Sequence, residues 1–225
     1  MWAIIKKEFK SIFLSPIGYI VLAIFLIIFS SFFYFYTTTT RSVDLSTVYY
    51  AVALYGLPII TSLLTMKSFS EERNKGTEDL LFMSPRSISS IVMGKFISIF
   101  FVICVEVMFS LMYYLILLSF GTPNICVLIL TIIGFLLLSA AYISFGILIS
   151  SLTENQVISA IITLVFLTLP LFVPYGNGIL SNLSIIDFYT KMPLGIISIS
   201  EIIGLLSFTI TCIALTIIGI KKRRT

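Results

Sequence analysis

The chain has 225 residues, of which 59% are hydrophobic and 11% charged, with a mean hydropathy of +1.14. Such values exclude a soluble globule with an ordinary polar surface and leave a polytopic membrane protein. Its 14 Lys and Arg against 10 Asp and Glu give a formal charge of +4, and the absence of histidine removes both the commonest metal ligand and the side chain that titrates near neutral pH.

Residues 2–14 place Trp2, Ile5, Phe9 and Ile12 on one helical face and Lys6, Lys7, Lys10 and Ser11 on the other. That pattern predicts an amphipathic helix in the membrane interface, lysines toward headgroups and aromatics toward the acyl boundary. Basic residues ahead of an apolar run resemble a signal peptide, but the run is too long and lacks a small-residue cleavage site, so it reads as retained.

Ser15 and Pro16 break this helix, and Ile17 to Tyr36 form span one, about 20 uncharged residues ending in an aromatic cluster from Phe32 to Tyr36. Span two runs from Val48 to Thr65 and contains Pro58, which is expected to kink or loosen it. Next comes the one long polar interruption, Met66 to Lys95, carrying Lys67, Glu71, Glu72, Arg73, Lys75, Glu78, Asp79, Arg86 and Lys95. Span three, Ile88 to Leu118, is longer than a crossing needs, so it tilts or extends into water at its Lys95 end. Span four covers Ile125 to Ile149, and the short polar loop Ser150 to Gln156 leads to span five, Val157 to Val173, closed by Pro170 and Pro174. Residues 174–200 are mixed in character and expected to lie at the surface or dip partly into the membrane. Span six, Ile202 to Ile220, ends on the basic anchor Lys221 to Arg224.

Six spans put both termini and the Met66 loop on one side. That side holds all but Arg41 and Lys191 of the 14 Lys and Arg, so the positive-inside rule makes it cytoplasmic.

Within the long loop, Ser68-Phe69-Ser70-Glu71 fits an S-x-x-E capping box, predicting a short helix that begins there. Gly76 offers a backbone break. Thr77-Glu78-Asp79 reads as a second helix start, with Leu80, Leu81, Phe82 and Met83 forming its apolar side and Ser84-Pro85 ending it. A helix of about two turns is not stable alone, so it packs either on this protein's own membrane ends or on another protein. Glu106 is the only ionisable residue well inside a span, and insertion there costs about 2.5–3.5 kcal/mol. It either lines a translocation path or hydrogen-bonds a neighbouring helix. Asp187, Lys191 and Glu201 lie near the outer surface, where ordinary solvation is expected. Cys104, Cys126 and Cys212 are far apart and form no C-x-x-C, which suggests apolar packing rather than a disulfide or zinc site.

The loop, with Glu72, Arg73, Gly76, Thr77, Glu78, Leu80, Leu81, Pro85 and Ser87 followed by Gly94-Lys95-Phe96, resembles the cytoplasmic loop of ABC-2 type exporter permeases. Trp2, Lys7-Glu8-Phe9, Ser15 to Tyr19 and Ser151 to Gln156 extend the likeness over about the first 165 residues, toward the gliding-motility and nitrous-oxide-reductase-maturation permeases. The resemblance implies an all-α, single transmembrane domain over residues 1–225, with an interfacial helix in 1–15, a coupling loop in 66–87 between spans two and three, and an extracytoplasmic segment in 174–200. It implies a multi-pass protein of the bacterial cytoplasmic membrane that pairs with a second permease, identical or homologous, and with two copies of an ABC ATPase subunit, and that engages no nucleic acid.

By the same implication Ser70, Glu71, Glu72, Arg73, Gly76, Thr77, Glu78, Leu80, Leu81 and Pro85 contact the ATPase, with Glu154 and Asn155 forming a smaller second contact. The chain itself contains no G-x-x-x-x-G-K-[ST] phosphate cradle. It is therefore expected not to be an enzyme and to bind no cofactor, with ATP and Mg held by the partner. The function implied is export of a hydrophobic or amphipathic substrate, such as a peptide, lipid or drug, by alternating access. A membrane protein that sequesters a toxic peptide or lipid without transport is the alternative, and the charged loop counts against it. A membrane-embedded hydrolase is disfavoured by the missing histidine and G-x-S-x-G.

Overall fold

The computed structural model describes residues 8, 9, 12, 13, 16–39, 44–77, 87–172, 185–196 and 198–224, and among these there is no strand. The principal helices are α1 (Pro16–Thr39), α2 (Leu45–Ala51, then a π turn Val52–Gly56, then Leu57–Thr65), α3 (Ser70–Asn74), α4 (Ile88–Leu118), α5 (Ile125–Leu152), α6 (Gln156–Phe172) and α7 (Ile199–Arg224). Five helical stretches are long and apolar enough to cross a bilayer: Gly18–Thr39, Leu45–Asn74, Ile88–Leu118, Ile125–Leu152 and Ile199–Lys222. The apolar helix at Gln156–Leu169 is shorter. The expected interfacial helix falls mostly outside the described residues, although positions 8, 9, 12 and 13 are helical and Phe9 stacks near Phe13 with centroids 4.5 Å apart.

Helix α5 is the hub of the bundle, packing against α2, α4, α6 and α7. Its sequence suits that position, because Ser139, Ala140, Ala141, Ser144 and Gly146 are small and let neighbouring backbones approach. At Gly146 an added Cβ would sit 2.8 Å from Cβ of Thr65 in α2, so α2 and α5 touch almost backbone to backbone. Buried hydroxyls on these helices turn back onto their own carbonyls, as Thr61 does to Leu57 at 2.7 Å and Ser144 to Ala141 at 2.7 Å. In an apolar surround such bonds satisfy groups that water cannot reach.

Pro58 loosens α2 as expected, and the form is specific. The Leu57 N–H reaches back five residues to the Val52 carbonyl, forming a π turn immediately before the proline. The wider turn accommodates a ring that would clash with the carbonyl four residues earlier in a regular helix. The fourth span is longer than the sequence suggests, since α5 continues through Ser150 and Ser151 to Leu152. Serine hydroxyls there bond within the helix, as Ser151 does to Leu148 at 2.7 Å, so polarity did not mark the helix end. Span five, expected over Val157 to Val173, is α6 at Gln156–Phe172.

The described part of the 174–200 segment dips into the bundle. Two 3-10 turns, Ile185–Phe188 and Met192–Leu194, bury Ile185, Ile186, Tyr189 and Met192. The Tyr189 ring and the Met192 sulfur fill the space beside Gly134, about 14 Å along α5 from its start. Glu201, expected to be solvated, is instead only 5% exposed and pairs with Lys191 at 3.0 Å. The inserted turns shield its carboxylate from water, and the pair offsets the cost of that burial.

Replacing Gly146 by Leu is expected to destabilise the detergent-purified protein by about 1–3 kcal/mol through overpacking of α2 against α5. Gly219→Leu, where an added Cβ meets nothing within 4 Å, serves as the comparison in the same unfolding measurement.

Candidate functional site

The turn from Met66 to Thr77 leaves the end of α2 and folds back on the bundle. A helix does begin within Ser68 to Glu71, but not by the expected capping box. Phe69 is the N-cap of α3 and supplies no side-chain cap, and the Ser68 hydroxyl is buried without a hydrogen-bond partner among the described residues. The cap comes from a distant helix. Ser150 Oγ, near the end of α5, accepts from the Phe69 N–H at 3.0 Å and the Ser70 N–H at 3.2 Å.

The exchange is reciprocal. A helix ends with carbonyls that have no partner within it. Ser70 Oγ donates to the Ser150 carbonyl at 3.0 Å, and Arg73 Nη2 donates to the Ser151 carbonyl at 2.8 Å. Arg73 Nη1 approaches the Thr153 carbonyl at 3.4 Å. The guanidinium's fixed fork of donors suits it to span successive carbonyls, and its positive charge is favourable at that end of the α5 dipole. Thus the N-terminus of α3 and the C-terminus of α5 complete one another.

A second anchor comes from α4. Lys95 is only 3% exposed, and its ammonium donates to the Ser68 carbonyl at 2.6 Å, Glu72 Oε1 at 3.0 Å and Glu8 Oε1 at 3.3 Å. Three acceptors match the three donors of an ammonium. The Phe69 ring lies beneath it at 5.0 Å from the centroid, adding a cation–π contact. The sequence reading allowed this end of span three to extend into water; Lys95 is instead buried inside the packed face of α4. One side chain thereby ties the N-terminal segment, the loop and α4 together.

The loop leaves this anchor through a Schellman turn. Gly76 has φ +65°, its N–H bonds the Arg73 carbonyl at 3.0 Å, and the Thr77 N–H bonds the Glu72 carbonyl at 2.9 Å. Glycine adopts that left-handed conformation without the Cβ penalty, which is the backbone break read from the sequence.

The predicted contact residues divide accordingly. Ser70, Glu72 and Arg73 are engaged by the chain's own helices. Glu71 pairs with Lys75 at 2.6 Å on the surface, and Gly76 and Thr77 are exposed. Glu78, Leu80, Leu81 and Pro85 lie outside the described residues, and with them most of the expected second helix. Glu154 and Asn155 are exposed beside α5, and Asn155 Oδ1 accepts from the Val157 N–H at 2.9 Å, capping α6. Glu106 is fully buried about 16 Å beyond Lys95 along α4, near the middle of a bilayer-sized span. Neither of its carboxyl oxygens has a hydrogen-bond partner among the described residues, so of the two readings the bond to a neighbouring helix is not found there. Sequence reasoning missed Ser150, whose role depends on where α5 ends in space. It placed Lys95 in a motif without its partners, although a lysine seven residues into a long apolar helix was a signal that it is paired.

Five apolar helices of bilayer length, with a polar loop clasped to one end of the bundle, mark an integral membrane protein. The family model described as ABC-2 family transporter protein matches residues 2–219, and the chain belongs to that family. Membership makes it a membrane permease of an ABC transporter, which associates with an ABC ATPase. No curated protein matches the chain.

Replacing Lys95 by Met strands two largely buried carboxylates and the Ser68 carbonyl. Breaking such a pair costs about 3–5 kcal/mol, so amide hydrogens from Phe69 to Lys75 should exchange at least about 100-fold faster, read by hydrogen-exchange mass spectrometry. Ser150→Ala removes the acceptor for two N–H groups together with the hydroxyl's bonds to Ser70 Oγ and the Met66 carbonyl, all neutral, and a smaller loss of about 1–2 kcal/mol should appear over the same residues.

Proposed function

We propose that this chain is the transmembrane half of an ATP-driven exporter, in which the Met66–Thr77 turn receives the mechanical stroke of a separate ATPase subunit. The observation that carries the reading is the double anchoring of α3. Its polar side chains hold the end of α5 through Ser70 and Arg73, and they hold α4 through Glu72 and Lys95. A push on this turn would move two membrane helices together, because neither contact yields without leaving buried polar groups unpaired.

On this reading the ATPase contact falls to the outward side, Glu71, Asn74, Lys75, Gly76 and Thr77, and to Glu78, Leu80, Leu81 and Pro85 beyond it. Glu72 and Arg73 act one step inward and relay the motion. Glu154 and Asn155, exposed beside the same α5 terminus, offer the smaller second contact. The helix Gln156–Phe172 serves as the remaining crossing in a six-span topology, with both termini and this loop on the cytoplasmic side of a bacterial cell membrane, as the distribution of Lys and Arg favours. At 17 residues it reaches about 26 Å, enough for a thin or locally adjusted bilayer.

Two permeases and two ATPase subunits form the working complex, with ATP and Mg bound by the ATPase pair and the cargo hydrophobic or amphipathic. The gliding-motility and nitrous-oxide-reductase-maturation permeases are the subgroup this reading favours. Glu106 is the candidate path residue. In the conformation described here it is sealed inside the helix packing, so reaching the path requires the helices to part.

Affinity capture of the full-length permease from native membranes should recover an ABC ATPase in about equal amount. Charge reversal at Lys75 together with Thr77→Arg should sharply reduce that recovery while lowering the unfolding midpoint only slightly, since both side chains are exposed and lose only the surface pair with Glu71 and the hydroxyl bond to the Glu72 carbonyl. Arg73→Ala should leave ATPase hydrolysis running while transport falls. Capture without any ATPase, with activity persisting after ATP depletion, would sink the proposal and favour a sequestering protein.

A further inference from the structure

Helix α2 is two helical halves joined by a turn of another kind. In an α-helix the Leu54 carbonyl takes its hydrogen bond from the N–H of residue 58, and Pro58 has none. The Leu57 N–H, which in an α-helix would serve the Ala53 carbonyl, goes to Val52 instead. Two successive carbonyls, those of Ala53 and Leu54, are therefore without their α-helical donors. The ladder that stiffens a helix is broken in the middle of a membrane-length stretch.

The halves on either side of the break hold different company. Leu45–Ala51 packs against α1, α5 and the Met192–Leu194 turn. Leu57–Thr65 packs chiefly against α5 and α6, and it runs on through Met66 into the α3 turn. Helix α1 meets α2 at the break itself. An added Cβ at Gly56 would come within 3.0 Å of Ile28 Cγ2, and the Phe32 ring stacks on Tyr55 with centroids 5.9 Å apart. That close contact is a fulcrum set against the turn with the weakest backbone ladder. Bending there stretches no α-helical bond at Ala53 or Leu54, because none exists, and prolines and π turns are where membrane helices bend most readily.

We propose that Val52–Pro58 is a hinge at which α2 bends, swinging Leu57–Thr65 and the α3 turn relative to α1 while Leu45–Ala51 stays in place. The second half is nine residues, or about 14 Å, so a bend of about 20° moves its far end by about 5 Å. Motion at the Lys95 end of the bundle can thus proceed while the Met192–Leu194 turn keeps its seat on the first half of α2. That an ATPase stroke drives the bend rests on the coupling role proposed above; the bend itself does not.

The test uses the full-length permease carrying Cys104→Ala, Cys126→Ala and Cys212→Ala, spin-labelled in pairs and read by pulsed dipolar spectroscopy with no ATPase or nucleotide present. Tyr19→Cys at the start of α1 with Met66→Cys at the end of α2 reports on the moving half. Tyr34→Cys with Thr47→Cys reports on the fixed half. Each of these four side chains is exposed or half-exposed. Distances in the first pair should spread about 5 Å more widely than in the second. Pro58→Ala returns an N–H to the Leu54 carbonyl and takes away the ring, and it should cut that extra spread at least by about half. A first pair as narrow as the second would overturn the hinge, as would a spread that survives Pro58→Ala unchanged. Because the permease is measured alone, failure to capture an ATPase bears on the coupling role and failure to bend bears on the hinge.

Discussion

Burying the Lys95 ammonium is the constraint around which one end of this molecule is built. An ion taken out of water into a helical bundle is tolerated only if nearly all of its hydrogen bonds are replaced. Here the replacements come from three separate parts of the chain: the Ser68 carbonyl, Glu72 and Glu8. Each is thereby held in place by a group that cannot release it cheaply. The loop after α2 is consequently not a free polar excursion but an element docked on α4.

The end of α5 obeys the same logic with neutral groups. Its last carbonyls would be orphaned near the apolar region, and α3 would have uncapped amides at its start. Ser150, Ser70 and Arg73 satisfy both ends at once. Because α5 also packs against α2, α4, α6 and α7, any displacement of α3 meets the hub of the bundle directly. A five-residue helix could not hold its shape alone, and here its stability is tertiary. About 14 Å in from the other end of α5, Tyr189 and Met192 wedge against Gly134, so that helix is engaged at two depths of the bundle.

Much of this was legible in the sequence because the bilayer imposes simple rules. Apolar length located most of the long helices to within a few residues, and Gly76 marked the backbone break that follows α3. Errors came where a local pattern was completed by something distant. Ser68 to Glu71 has the spacing of a capping box, yet the cap is Ser150, some eighty residues on. Polarity at Ser150 and Ser151 looked like a loop, whereas back-bonded hydroxyls let α5 continue. Glu201 looked solvated because its sequence neighbourhood says nothing of the turns that fold over it.

By itself the sequence determined that the chain is a helical membrane protein with a charged loop, since uninterrupted apolar length and clustered charge leave few other ways to satisfy the backbone and the ions. Glu72, Arg73 and Lys95 could be picked out in that sequence as members of a motif. Only the tertiary structure decided that they face inward, because which carbonyl a buried cation finds depends on where three chain segments meet in space.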